Sequence, residues 1–163
     1  MKLTAALFTE INDFCQKKAE HLVSPMYGIR DEHGLESIAA SVDQYVFDRE
    51  VYPNLFSKAA FVWMSLTNYH CFYNGNKRTA LFTVYLYLYV NGCHMDLPES
   101  QIYDAALSIA SGRMSAEEIA KLLKQLSIVD NNSSEVAVNL NLFETIYLEN
   151  EDLVRILGKL AVT

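Results

Sequence analysis

The stretch His70-Cys71-Phe72-Tyr73-Asn74-Gly75-Asn76-Lys77-Arg78-Thr79 concentrates site-forming residue types between two strongly apolar segments. Gly75 allows a close turn, and a helix starting just after it would present free backbone N–H groups beside Asn76, Lys77 and Arg78. A helix N-terminus with two adjacent cations suits phosphate, the arginine binding bidentately and the lysine acting as a point charge. His70, whose imidazole titrates ordinarily at about 6.5, is the candidate general base for a hydroxyl attacking that phosphate. Phe72 is read as a core anchor for the loop. Tyr73 is placed to stack on a base or a target side chain, or to anchor the loop. Taken singly, His70 would read as a hydrogen-bonded core histidine and Lys77-Arg78 as a solvated helix start; the cluster favours chemistry.

The elements that must hold this loop are helical. Leu3, Leu7, Phe8, Ile11, Phe14 and Cys15 recur at helical spacing and predict a helix over residues 3–20. Tyr27 to Gly34 reads as a loop. Leu35, Ile38, Ala39, Val42 and Val46 predict a second helix, and Asn54 caps a third through Leu66. The buried helix after the loop runs from about Asn76 to Val90 and stops at Asn91-Gly92. Pro98 opens a further helix, and Ser115 to Glu118 is a capping box for another. An all-α fold is expected. Residues 1–126 form the main domain and 127–163 a C-terminal extension. In it, Asp130 to Ser134 reads as a linker, Val136, Val138, Leu140 and Leu142 alternate with period two, and a helical pattern resumes near Asp152.

The chain has 163 residues, 51% of them hydrophobic and 20% charged, enough to close a core without staples. Its net charge of -7 disfavours nucleic acid and anionic membrane as partners. Cys15, Cys71 and Cys93 contain no metal-ligand spacing and read as buried, reduced thiols. His21, His33 and His94 likewise make no zinc pattern. The N-terminus lacks signal-peptide zones and no apolar run is long enough to span a bilayer, so a cytoplasmic location is expected.

His70-x-Phe72-x-Asn74-Gly75-Asn76-Lys77-Arg78-Thr79 resembles the signature loop of the Fic/Doc superfamily. The Asn-Lys-Arg-Thr form is closer to the Doc (death-on-curing) toxin branch than to the Asn-Gly-Arg form of the AMP-transferases. The resemblance covers about residues 3–126. It implies an ATP-dependent transferase, with magnesium, that moves a phosphoryl or AMP group to a hydroxyl of a target protein such as a translation factor. His70 would be the base, and Gly75, Asn76, Lys77 and Arg78 would bind the nucleotide. An antitoxin and a homodimer are the further partners considered. The resemblance departs at Asn74, where the family usually carries the acidic magnesium ligand; an amide oxygen can ligate magnesium directly or through a water, but it lacks the charge that hard cations favour, so Asn74 is expected to be a weak ligand. That departure admits a second reading, a nucleotide-binding interaction module without transfer activity. Thr145 to Asn150 also resembles the family's [Ser/Thr]-x-x-x-Glu-[Gly/Asn] inhibitory motif, by which Glu149 would pair with Arg78 if the segment folds back as a helix.

Overall fold

The computed structural model describes residues 1–19, 28–130 and 135–163. The predicted end of the first helix at residue 20, His21, Tyr27 and residues 131–134 of the predicted linker lie outside the described residues.

Eight helices carry the described chain: α1 (Ala5–Lys18), α2 (Glu32–Val42), α3 (Leu55–Asn68), α4 (Asn76–Val90), α5 (Glu99–Ala110), α6 (Ala116–Leu126), α7 (Leu140–Glu149) and α8 (Glu151–Ala161). Two short antiparallel ladders, β1 (Tyr45–Val46) with β2 (Arg49–Glu50) and β3 (Cys93–Met95) with β4 (Ser127–Val129), complete it. The all-α expectation holds.

Polar caps set several of the helix starts. The Asn54 and Ser57 side chains cap α3 reciprocally, and Ser115 and Glu118 do the same for α6. Gly92, at φ 78°, closes the C-terminal end of α4 as the Asn-Gly pair predicts. α4 is the central element. It packs against α1 and α3, and its residues from Arg78 to Leu88 are all buried. Phe8 and Ile11 from α1, Trp63 and Leu66 from α3, and Leu81, Phe82 and Leu86 from α4 fill the core between them.

Two expectations change. The predicted second helix stops at Val42, and Val46 belongs to a hairpin whose turn residues Phe47 and Asp48 are both left-handed (φ 51° and 62°), as a two-residue hairpin turn requires. Lys58 pins that hairpin to α3 by reaching the Asp43 and Glu50 carboxylates, each at 3.1 Å. The alternation at Val136 to Leu142 is not a strand. Asn139 accepts the Leu142 N–H at 3.2 Å and starts α7 at Leu140.

The described residues of the segment 127–163 are built into the same core as the rest. β4 pairs with β3, α7 contributes Leu142, Phe143 and Ile146, and α8 contributes Leu153, Ile156, Leu157 and Leu160. Among the described residues no helix is long and apolar enough to cross a membrane.

Candidate active site

The loop between α3 and α4 is held from two sides. On one, residues 28–31 run antiparallel to it: Arg30 and Asp31 donate their N–H groups to the Cys71 carbonyl (2.8 and 3.0 Å), and Tyr73 donates to the Gly28 carbonyl (3.1 Å). Arg30 Nη1 also takes the His70 carbonyl at 3.0 Å. On the other side lies α1. Asn12 Nδ2 donates to the Asn74 carbonyl (2.9 Å) and to Thr79 Oγ1 (3.0 Å). Four residues along the helix, Gln16 Oε1 accepts from Arg78 Nη2 at 2.5 Å, while Arg78 Nη1 donates to the Cys15 carbonyl at 3.1 Å.

These constraints give each predicted residue its place. His70 is exposed and sits at φ 51°, a left-handed conformation that an L-residue adopts only when its neighbours over-determine it. Phe72 is fully buried, as an anchor should be. Gly75 caps α4 at φ 77°, a backbone that favours glycine, and a Cβ there would lie 2.7 Å from Gln16 Oε1, so a larger residue would have to displace that amide. No side chain caps α4, which leaves its first N–H groups free of side-chain partners. Lys77 is half-buried beside them.

Arg78 is 2% exposed, and among the described residues it meets no carboxylate. Burial lowers its pKa from the ordinary arginine value, yet an arginine stays protonated in a protein. Its buried charge is thus aimed by two neutral oxygens, with no counter-ion among the described residues. Beside it, burial pushes the Cys15 thiol up to about 12, partly offset by Arg78, so the sulfur remains an inert thiol.

His70, Tyr73, Asn74, Gly75, Asn76, Lys77 and Arg78 line one cavity of about 200 Å³, closed on its far side by Leu160, Ala161 and Thr163 at the end of α8. The loop residues read as base, nucleotide ligands and metal ligand therefore share one cavity, while Phe72 anchors the loop in the core. Asn76 also lines the cavity, and its side chain holds the loop. Its Oδ1 accepts the Phe72 N–H (3.2 Å) and its Nδ2 donates to the Phe72 carbonyl (2.9 Å), so the side chain ties the start of α4 to the loop.

Asn74 also turns inward, its Oδ1 accepting the N–H of Gly75 at 2.8 Å. Among the described residues no Asp or Glu side chain lines this cavity, and no group of three His, Cys, Asp or Glu side chains could hold a metal. Because magnesium favours carboxylate oxygen, the residues present do not fit a protein-held magnesium ion.

Glu149 is not beside Arg78. α7 is helical as the pairing requires, but its buried face is Leu142, Phe143 and Ile146, which leaves Thr145 and Glu149 exposed. Glu149 ends the helix next to Tyr85, whose hydroxyl binds Asn150 Oδ1 at 2.9 Å. Tyr85 is seven residues beyond Arg78 along α4, about 10 Å of helical rise. The predicted inhibitory contact is thus not formed.

A family model described as Fic/DOC family matches residues 2–88, more than half of the chain. The chain belongs to the Fic/DOC family. Over 67 residues it is 34% identical to Toxin Doc of Mycolicibacterium smegmatis, which places its likeness on the Doc side of the family. That alignment takes in 41% of this chain and 52% of the relative, so the chain spans about half the length of the curated protein it matches. The loop from His70 to Thr79 lies within the Fic/DOC match, whereas α5 to α8 lie beyond it.

Sequence reasoning missed Asn12 and Gln16, which this Fic/DOC chain uses to seat the loop. The signal was present. Both amides fall in the i, i+4 row that begins at Phe8 and are flanked by Ile11 and Cys15, so they sit on the apolar face where uncharged polar groups need partners.

Proposed function

We propose that this chain is a toxin-like transferase that moves a phosphoryl group from ATP to a hydroxyl of a target protein. The observation that carries it is the shared cavity: an exposed His70 with a left-handed backbone lines it together with the N-terminus of α4, Lys77 and the buried Arg78, which meets no carboxylate among the described residues. Triphosphate oxygens would take the free N–H groups of α4 and the two cations. A target hydroxyl in line with the γ-phosphorus would give its proton to His70; its oxygen bonds to phosphorus, the bond to the bridging oxygen breaks, and ADP leaves. Lys77 favours this phosphoryl transfer over AMP transfer, in which attack falls on the α-phosphorus and pyrophosphate leaves. The Toxin Doc likeness supports a toxin role and an antitoxin partner.

The experiment is to incubate the chain and His70→Ala with bacterial lysate and ATP labelled at the α or the γ phosphate. Protein label from γ alone, lost with His70→Ala, is the expected result; label from α alone would mean AMP transfer.

A second reading has its own observation. The absence of an acidic side chain from the cavity lining, with Asn74 folded onto Gly75, favours a nucleotide-binding interaction module. Tight ATP binding with no label, and label gained by Asn74→Asp, would support it.

A further inference from the structure

We propose that Gln16 is a positioning residue that aims the Arg78 guanidinium while leaving its positive charge unneutralised for an anionic ligand. This assignment rests on the phosphate-binding reading above. Gln16 is 2% exposed, its Oε1 accepts from Arg78 Nη2 at 2.5 Å, and among the described residues its buried Nε2 has no hydrogen-bond partner. An orphaned buried donor is unfavourable. A glutamate has the same size, would carry no orphan N–H, and would bind arginine through a stronger charge-assisted bond. For stability alone, glutamine is the poorer choice at this position.

Its advantage is electrostatic. A carboxylate at residue 16 would cancel the buried charge of Arg78, which lines the cavity, whereas an amide oxygen fixes the same geometry at no cost in net charge. The Cys15 carbonyl on Nη1 is neutral too, so both aiming oxygens follow one pattern. Gln16 further touches the cap of α4, since a Cβ on Gly75 would meet its Oε1. Arginine and helix start are therefore registered against one side chain. Asn12, one turn earlier, secures the loop carbonyl of Asn74.

The test is calorimetric titration of the full chain with inorganic triphosphate, alongside thermal unfolding, for the parent and Gln16→Glu. Gln16→Glu should unfold at or above the parental temperature and bind triphosphate roughly tenfold more weakly or worse, as expected when a partly buried cation loses its excess charge. A merely structural residue would not weaken binding while stability is kept. If the parent binds and Gln16→Glu binds within about threefold of it, the assignment is overturned and the phosphate reading stands. A parent that does not bind triphosphate overturns both. Should Gln16→Glu fail to fold, Gln16→Met keeps the length and removes the acceptor; parental affinity in that variant likewise overturns the assignment.

Discussion

The Asn76 side chain grips both backbone groups of Phe72, accepting its N–H at 3.2 Å and donating to its carbonyl at 2.9 Å. One residue thereby ties the first turn of α4 to the strand-like part of the loop that carries His70. Asn76→Ala would leave both groups without that partner and should lower stability by about 1–3 kcal/mol. Asn76→Asp keeps the acceptor, loses the donor and adds a charge that suits a helix N-terminus but repels phosphate. Urea denaturation should therefore separate the variants, Asp above Ala, while triphosphate titration should find both weaker than the parent. Parental affinity in Asn76→Asp would remove anion binding from this helix start.

His70 holds a left-handed backbone at φ 51° with its side chain exposed. That conformation costs an L-residue about 1 kcal/mol, which glycine does not incur. His70→Gly should therefore unfold at or above the parental temperature and still transfer no label. Label at the parental rate would take the proton acceptor out of the mechanism. A large loss of stability would instead show that the imidazole has a packing role.

Much of this arrangement was legible in the sequence because it is local. Asn54, Ser115 and Asn91-Gly92 mark helix boundaries through side-chain and glycine chemistry confined to a few residues, and α4 begins and ends where those signals put it. The cluster from His70 to Arg78 is contiguous, so its convergence on one cavity follows from a single turn. What failed to show was set by distant partners. Phe47 is not a usual residue for a left-handed turn, although Asp48 is, and the hairpin leans on Lys58 of α3. Asn12 and Gln16 gain their roles from residues more than sixty positions away. Glu149 had the right spacing from Thr145, yet which way it faces was decided by Phe143 and Ile146 packing inward.

Gly75 and Gly112 share nearly the same backbone, φ 77° and 74°, and differ in surroundings. An alanine Cβ at Gly112 meets nothing within 4 Å, so only the conformational cost applies, about 1 kcal/mol. At Gly75 it would approach Gln16 Oε1 to 2.7 Å and Arg78 Nη2 to 3.1 Å. Gly75→Ala should cost about 1–3 kcal/mol more than Gly112→Ala in denaturant unfolding and weaken triphosphate binding as well. Equal losses would mean that α1 yields freely around the cap.

Alkaline pH should destabilise the protein through its buried thiols. The Cys15 pKa rises to about 12 on burial, and burial raises those of Cys71 and Cys93 too. A raised folded pKa means the folded state keeps protons that the unfolded chain releases. The stabilisation is complete below the unfolded thiol value and is lost as pH climbs toward the folded one. For Cys15 the fall should approach about 1.4 kcal/mol per pH unit above roughly pH 9. Urea midpoints at pH 8 and 10 should drop less in Cys15→Val than in the parent. An identical drop would place the titrating groups elsewhere.

The C-terminal helices make the last prediction, because their position decides what a truncation can reveal. Phe143 of α7 is 1% exposed and meets Phe14 of α1 and Phe82 of α4 with ring centroids 5.8 and 5.9 Å apart. Those rings join the first, fourth and seventh helices into one cluster. Phe143→Ala should therefore cost about 3–5 kcal/mol. A chain ended after Ser127 would expose the apolar faces that Leu153, Ile156, Leu157 and Leu160 now cover, and should lose cooperative thermal unfolding and bind a hydrophobic dye. Any gain or loss of activity on truncation would then report unfolding rather than release of an inhibitor. Glu149→Ala, an exposed change, isolates the inhibitory question: with Glu149 beside Tyr85 and remote from Arg78, it should leave both stability and label transfer at parental levels. A severalfold rise in label would require α7 to move so that Glu149 reaches the arginine.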